Sequence, residues 1–147
     1  MTTRAYPKRC GKCGQNKMRL ATVPYNTTIE HDGRSYHVKI PALSVPHCGN
    51  CHAISLDDEA DQQISAAFRS EAGLLTPDEI RHGREKLGLT QKQFANLLGV
   101  GEATISRWET GGQIQQRAMD RFLRLCLVSP AAVELLQSDF QPSDAGA

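Results

Sequence analysis

Two Cys-x-x-Cys pairs, Cys10-Gly-Lys-Cys13 and Cys48-Gly-Asn-Cys51, stand 34 residues apart. They constrain this chain more than any other feature. Four thiolates in this arrangement match tetrahedral zinc, which takes four soft ligands at about 2.3 Å each. Gly14, directly after Cys13, suits a knuckle in which the chain takes positive φ. A full set of protein ligands leaves no open position for a reacting water, so the expected Zn²⁺ is structural, one per chain. Iron would use the same four ligands. A dithiol redox pair needs a Cys-x-x-Cys at a helix N-terminus, and neither pair has one. His47 and His52 flank the second pair and are read as neighbours of the site rather than ligands. The fifth cysteine, Cys126, lies in the apolar stretch Phe122–Leu127 and reads as a small buried hydrophobe.

The charge pattern divides the rest of the chain. Lys+Arg total 17 against 16 Asp+Glu, yet the signs are segregated. Residues 1–55 carry eight bases and two acids, 56–79 one base and seven acids, 80–130 eight bases and four acids, and 131–147 three acids alone. These changes coincide with changes in hydrophobic period, which marks them as module boundaries. The predicted modules are a zinc-binding unit over 1–55, an acidic connector helix over 56–75, a helical domain over 76–137 and a flexible tail over 138–147.

The first module reads as short strands. Asp32-Gly33 is a two-residue hairpin signal. It lies between Thr27–Ile29 and Tyr36–Ile40, where Tyr36, Val38 and Ile40 alternate with polar residues; Leu20–Tyr25 adds a third strand. With few large apolar side chains, 55 residues build little core. Zinc, at about 10–16 kcal/mol of apparent folding energy, would make up the deficit. From Ser55 the period becomes helical. Ser55-x-x-Asp58 has capping-box spacing, and Ala60, Ile64, Ala67 and Phe68 share one face.

Four or five helices then follow. Thr76-Pro-Asp-Glu79 and Thr90-Gln-Lys-Gln93 are both capping boxes. Gly88, Gly99 and Gly111-Gly112 are stops, further helices cover about 115–127 and 131–137, and His31, His37 and His82 read as surface residues. The last helices, through Phe122, Leu123, Leu127, Val133 and Leu136, are expected to form a dimer face.

Within this domain Thr90–Gly111 follows the helix-turn-helix plan. Val100 in the tight turn plugs the angle between two helices. Ile105 and Trp108 define the buried side of the second helix. Its opposite face carries Glu102, Ala103, Ser106 and Arg107, with Thr104 beside them. Such a face fits a DNA major groove, where an arginine bonds guanine O6 and N7 together. Gln91 and Lys92 open the preceding helix and would face phosphate.

The stretch LTQKQFANLLGVGEATISRWETG resembles the Cro/C1-type (XRE) helix-turn-helix. Together with the two cysteine pairs, the chain to about residue 128 resembles the MqsA/YgiT-type zinc-finger antitoxins. The resemblance implies a zinc module that binds and neutralises a small RNase-type toxin. It also implies a C-terminal domain that homodimerises and represses its own operon at a palindromic operator in double-stranded DNA. It puts the family's zinc ligands on Cys10, Cys13, Cys48 and Cys51 and its recognition-helix arginine on Arg107. Two departures stand out. The family's base-reading asparagine falls on Ala103, which can touch a thymine methyl but cannot pair with adenine. The second knuckle ends in Cys51-His52, without the family's glycine.

The expected fold is therefore α+β: a small β-rich zinc module joined to an all-α, five-helix helix-turn-helix domain. No nucleotide loop, Ser/His/Asp order or H-E-x-x-H motif occurs, so no enzyme is expected. With no apolar leader at the N-terminus and no membrane-length apolar run, a cytoplasmic location is expected. A stand-alone regulator without a toxin, or a metal- or redox-responsive sensor, is the alternative reading.

Overall fold

The computed structural model describes residues 5–138; the expected tail beyond Ser138 lies outside them. The chain divides into two compact units, one ending at Ala72 and one beginning at Gly73. The class is α+β, with a two-stranded antiparallel sheet and six helices among the described residues.

In the first unit the expected short strands merge into two long ones, β1 (Met18–His31) and β2 (Arg34–Cys48). Asp32 and Gly33 form the turn between them, both at positive φ (52° and 71°), as a type I′ turn requires. The partner register shifts between Val23–Leu43 and Tyr25–Ile40, which leaves Pro41 and Ala42 opposite Pro24. This bulge explains why the strands looked short. The inward side chains of β2 are Val38 and Ile40 before it but Leu43 and Val45 after it. Alternation changes parity mid-strand and breaks the period-two signal.

Helix α1 (Asp58–Ala72) is not a free connector; it packs on the hairpin. Its N-cap is Asp57, whose Oδ1 accepts from the Ala60 N–H at 2.9 Å, and not Ser55. Ala60 closes on Leu43 and Val45, with Val23, Tyr25, Ile40 and Ile64 around them. Phe68 is fully buried, its ring edge-on to Tyr36 and His31 at 5.3 and 5.2 Å. His31 is thus half-buried rather than a surface residue, because its position in β1 faces α1. His37 and His82 are exposed as read.

The second unit holds α2 (Pro77–Lys86), α3 (Gln91–Leu98), α4 (Glu102–Thr110), α5 (Arg117–Val128) and α6 (Pro130–Gln137). Both capping boxes form, Thr76 with Glu79 and Thr90 with Gln93, each satisfying two helix-end donors. The core gathers Ile80, Phe94, Leu98, Ile105, Trp108, Leu123, Cys126 and Val133. Gly83 lets α2 approach α5 closely: a Cβ there would lie 2.5 Å from Leu127. Leu123 and Val133 are core residues, and Phe122, Leu127 and Leu136 pack against that core. Leu123 and Val133 are therefore spent inside the unit, while Phe122, Leu127 and Leu136 stay half-exposed. The apolar side chains left exposed on α5 and α6 are Leu125, Val128 and Leu135.

Two buried polar assemblies brace this unit. The Asp120 carboxylate, 1% exposed, accepts from the Leu75 N–H at 2.7 Å, from Gln115 Nε2 at 3.1 Å and from Arg124 Nε at 2.8 Å. Arg84 grips Glu109 with Nε and Nη2 and donates through Nη1 to the Leu89 carbonyl. No described helix is long and apolar enough to cross a membrane.

Candidate metal centre and nucleic-acid interface

The two cysteine pairs fold into matching turns. In the first, Cys10 N–H donates to the Gln15 carbonyl at 2.8 Å and Gly14 N–H to the Cys10 carbonyl at 2.9 Å. In the second, Cys48 N–H donates to Ala53 at 2.8 Å and His52 N–H to Cys48 at 2.9 Å. Each first sulfur accepts from the N–H two residues on, Lys12 or Asn50, at 3.4 Å. Gly14 has φ 74° and His52 φ 62°. The second knuckle therefore has the same shape, with a left-handed histidine where the first has glycine. His47 and His52 rings lie 5.5 Å apart and stay outside the sulfur cluster.

The strands bring the turns together, because Met18 pairs with Cys48 and also bridges Lys8. All four sulfurs lie within 4.8 Å of one another. Cys10 to Cys51 is 3.6 Å and Cys13 to Cys48 is 3.7 Å. A tetrahedron with metal–sulfur bonds of about 2.3 Å has edges of about 3.8 Å. A disulfide would need about 2.05 Å, and all four thiols are free.

The thiols also ionise unequally. Backbone N–H groups, Gln15 foremost, draw Cys13 down to about 6. Those of Cys13 and Lys12 lower Cys10. The Ala53 N–H favours the Cys51 thiolate, but burial and the three neighbouring sulfurs outweigh it and push Cys51 up to about 11. The first charges form readily and the last does not, since like charges crowd one site. A cation at the centre removes that conflict, so the donor set fits a structural metal.

The second unit presents α4. Its buried side is Ile105 and Trp108, joined by Glu109, which is 6% exposed. Glu102, Ala103 and Arg107 are exposed, and Thr104 and Ser106 are half-exposed. The turn before it is tight: Gly99 is left-handed at φ 76°, and Val100 N–H returns to Ala95 at 3.0 Å. Val100 packs on the core. Lys92 is exposed at the start of α3, while Gln91 directs Nε2 to Glu109 Oε2 at 2.7 Å. Gln91 thereby ties α3 to the end of α4. Sequence reasoning missed Arg84 and Glu109. Arg84 lies 25 residues before its partner, and no local spacing links them.

The family model described as the antitoxin component of bacterial toxin–antitoxin systems, MqsA, matches residues 8–137. No curated protein matches this chain. Among solved structures, a candidate DNA-binding protein of Nitrosomonas europaea ATCC 19718, NE0471, is similar at 14% identity and a TM-score of 0.37. The similarity covers 76% of this chain and 88% of that one. At that score the likeness carries no structural conclusion.

Proposed function

The chain belongs to the MqsA family of antitoxin components, and from that premise we propose that it neutralises an RNase-type toxin and represses its own operon. The first unit is the toxin-binding module, built around one structural Zn²⁺ on Cys10, Cys13, Cys48 and Cys51. The second is the DNA-binding module. The observation that carries this reading is the pairing of a four-thiol cluster with a helix-turn-helix in one chain, matched across both by an antitoxin family.

Each part has a defined role. The metal neutralises four thiolates and so holds the open end of the hairpin shut. On DNA, Arg107 bonds a guanine edge, Ala103 meets a thymine methyl, and Glu102, Thr104 and Ser106 complete the groove-facing surface. Lys92 takes phosphate and Gln91 fixes the helix that presents it. One short helix makes few base contacts, so two copies bind together at a palindrome with half-sites about 34 Å apart. The exposed Leu125, Val128 and Leu135 of α5 and α6 supply the dimer contact, with the core residues beneath them. These are cytoplasmic roles.

The test is purification of the full chain from its source cell, with mass spectrometry of the complex and its metal. A small nuclease encoded beside this chain's gene, bound tightly with one zinc per chain, is the expected result. A zinc-loaded homodimer that binds DNA but no such protein would replace the antitoxin reading with that of a stand-alone regulator.

A further inference from the structure

Both edges of the hairpin are open toward the turn, but that of β1 is open over the longer stretch. The outer edge of β2 is covered along its lower half. The Gln63 amide donates to the Ser44 carbonyl and accepts from its N–H, both at 3.0 Å. Ser55 N–H donates to the Pro46 carbonyl, and His47 bridges Ile54. On the other side, β1 is covered at its start, where Met18 exchanges two hydrogen bonds with Lys8 at 2.9 and 3.0 Å. Beyond that bridge, no described backbone group outside β2 bonds β1 as far as its turn.

The register says which groups this leaves free. Met18 turns its N–H and C=O outward to Lys8, and successive residues of a strand alternate edges. The outward residues of β1 are therefore even-numbered. The turn gives the same parity: His31 and Arg34 form the closing pair, so Glu30, Thr28 and Asn26 point away from β2. Their side chains are all exposed. Pro24 fits the same series, since a proline is tolerated where the missing N–H would face the open edge. Past Pro24 the strand offers three consecutive outward N–H and C=O pairs, at Asn26, Thr28 and Glu30, with nothing else of the described chain paired to them.

We propose that the β1 edge over Asn26–Glu30 takes up an extended strand of the toxin, continuing the hairpin as a three-stranded sheet. This rests on the antitoxin reading above. Main-chain pairing of this kind gives affinity, and alternate side chains give selectivity. The incoming strand lies beside Asn26, Thr28 and Glu30, with His37 and Lys39 one strand further in on the same face. Of the charges near this edge, Glu30 lies on it and Lys39 stands across from Asn26. The chemistry that fits is a strand with neutral side chains beside Asn26 and Thr28 and a basic one beside Glu30.

The test uses the full zinc-loaded chain and the protein encoded beside its gene, with the dissociation constant read by calorimetry. Thr28→Pro removes one outward N–H and leaves the ladder to β2 intact; Thr28→Ala keeps the N–H and removes only the hydroxyl. Thr28→Pro is expected to weaken binding about 10-fold or more and Thr28→Ala by less than about 3-fold. Amide exchange supplies the second readout. Asn26, Thr28 and Glu30 should gain protection in the wild-type complex, with Thr27 and Ile29 protected in both states and in free Thr28→Pro. Equal affinity of Thr28→Pro and wild type, or a complex that protects other amides and not these three, overturns the edge and leaves the antitoxin reading standing. A wild-type chain that binds no such protein overturns that reading and this proposal with it.

Discussion

The two units solve the same stability problem by opposite means. Among the described residues the first has small apolar clusters, one of them built around Cys10, Cys48 and Met18 with the other two cysteines against it. Part of its interior is thus the four-thiol cluster itself. The second has one continuous core of ten buried residues and adds buried ion pairs. Chemistry that closes a chain at one point suits a long hairpin, whose own pairing buries little. Apolar packing suits five short helices, none stable alone. The contrast predicts that each unit fails to a different insult.

The largest effect separates them outright. Cys10→Ser removes one of four ligands and should forfeit most of the roughly 10–16 kcal/mol of metal-linked folding energy. The hairpin should lose its zinc and unfold while the helical unit still binds operator DNA; an electrophoretic shift assay with metal analysis checks both. Next, Glu109→Ala leaves the Arg84 guanidinium buried without its partner. That should cost the second unit about 3–5 kcal/mol, visible as a lower denaturation midpoint with zinc content unchanged.

Acid should discriminate in the same direction. Burial opposes ionisation of Asp120, but the Leu75 N–H, Arg124 and Gln115 outweigh it and hold the carboxyl below its usual value. Its folded pKa lies below its unfolded one, so its stabilisation is present above the ordinary carboxylate range and lost as pH falls through the folded value. Asp120→Asn should lower stability at neutral pH by about 1–3 kcal/mol and flatten the acid limb of unfolding for the second unit.

Function should respond with no loss of fold in Arg107→Ala. That side chain is exposed, and its removal should cost about 1–3 kcal/mol of operator discrimination, measured by competition between operator and scrambled duplexes. The smallest effect sharpens the knuckle comparison. His52→Gly relieves a left-handed backbone at φ 62° and should gain about 0.5–1 kcal/mol, read as slower zinc loss to a chelator.

Most of this was legible where chemistry is local. The four clustered cysteines announce themselves by spacing, the helix starts by Thr76 and Thr90 with their partners three residues on, and the turn by Asp32-Gly33. Each of those signals lies within a few residues. What escaped was non-local or parity-dependent. The bulge at Pro41–Ala42 split one strand's alternation into two registers. α1 looked like a connector because its acidic face is obvious, while its apolar face needed Leu43 and Val45 to give it a partner. Two residues of the expected dimer face, Leu123 and Val133, belong to the core, which no local pattern announces. The buried roles of Glu109 and Asp120 have no local signal, because only the fold brings Arg84 to one and Leu75 with Gln115 to the other.

One spectroscopic asymmetry makes the central claim directly testable. The single tryptophan, Trp108, lies in the second unit, and all three tyrosines, Tyr6, Tyr25 and Tyr36, lie in the first. A chelator titration followed by tryptophan fluorescence and tyrosine near-ultraviolet dichroism on one sample reads both units at once. Two independently stabilised units predict loss of the tyrosine signal with the metal while Trp108 stays buried and its fluorescence unchanged. Simultaneous loss of both signals at one chelator concentration would contradict the account and show a single cooperative structure.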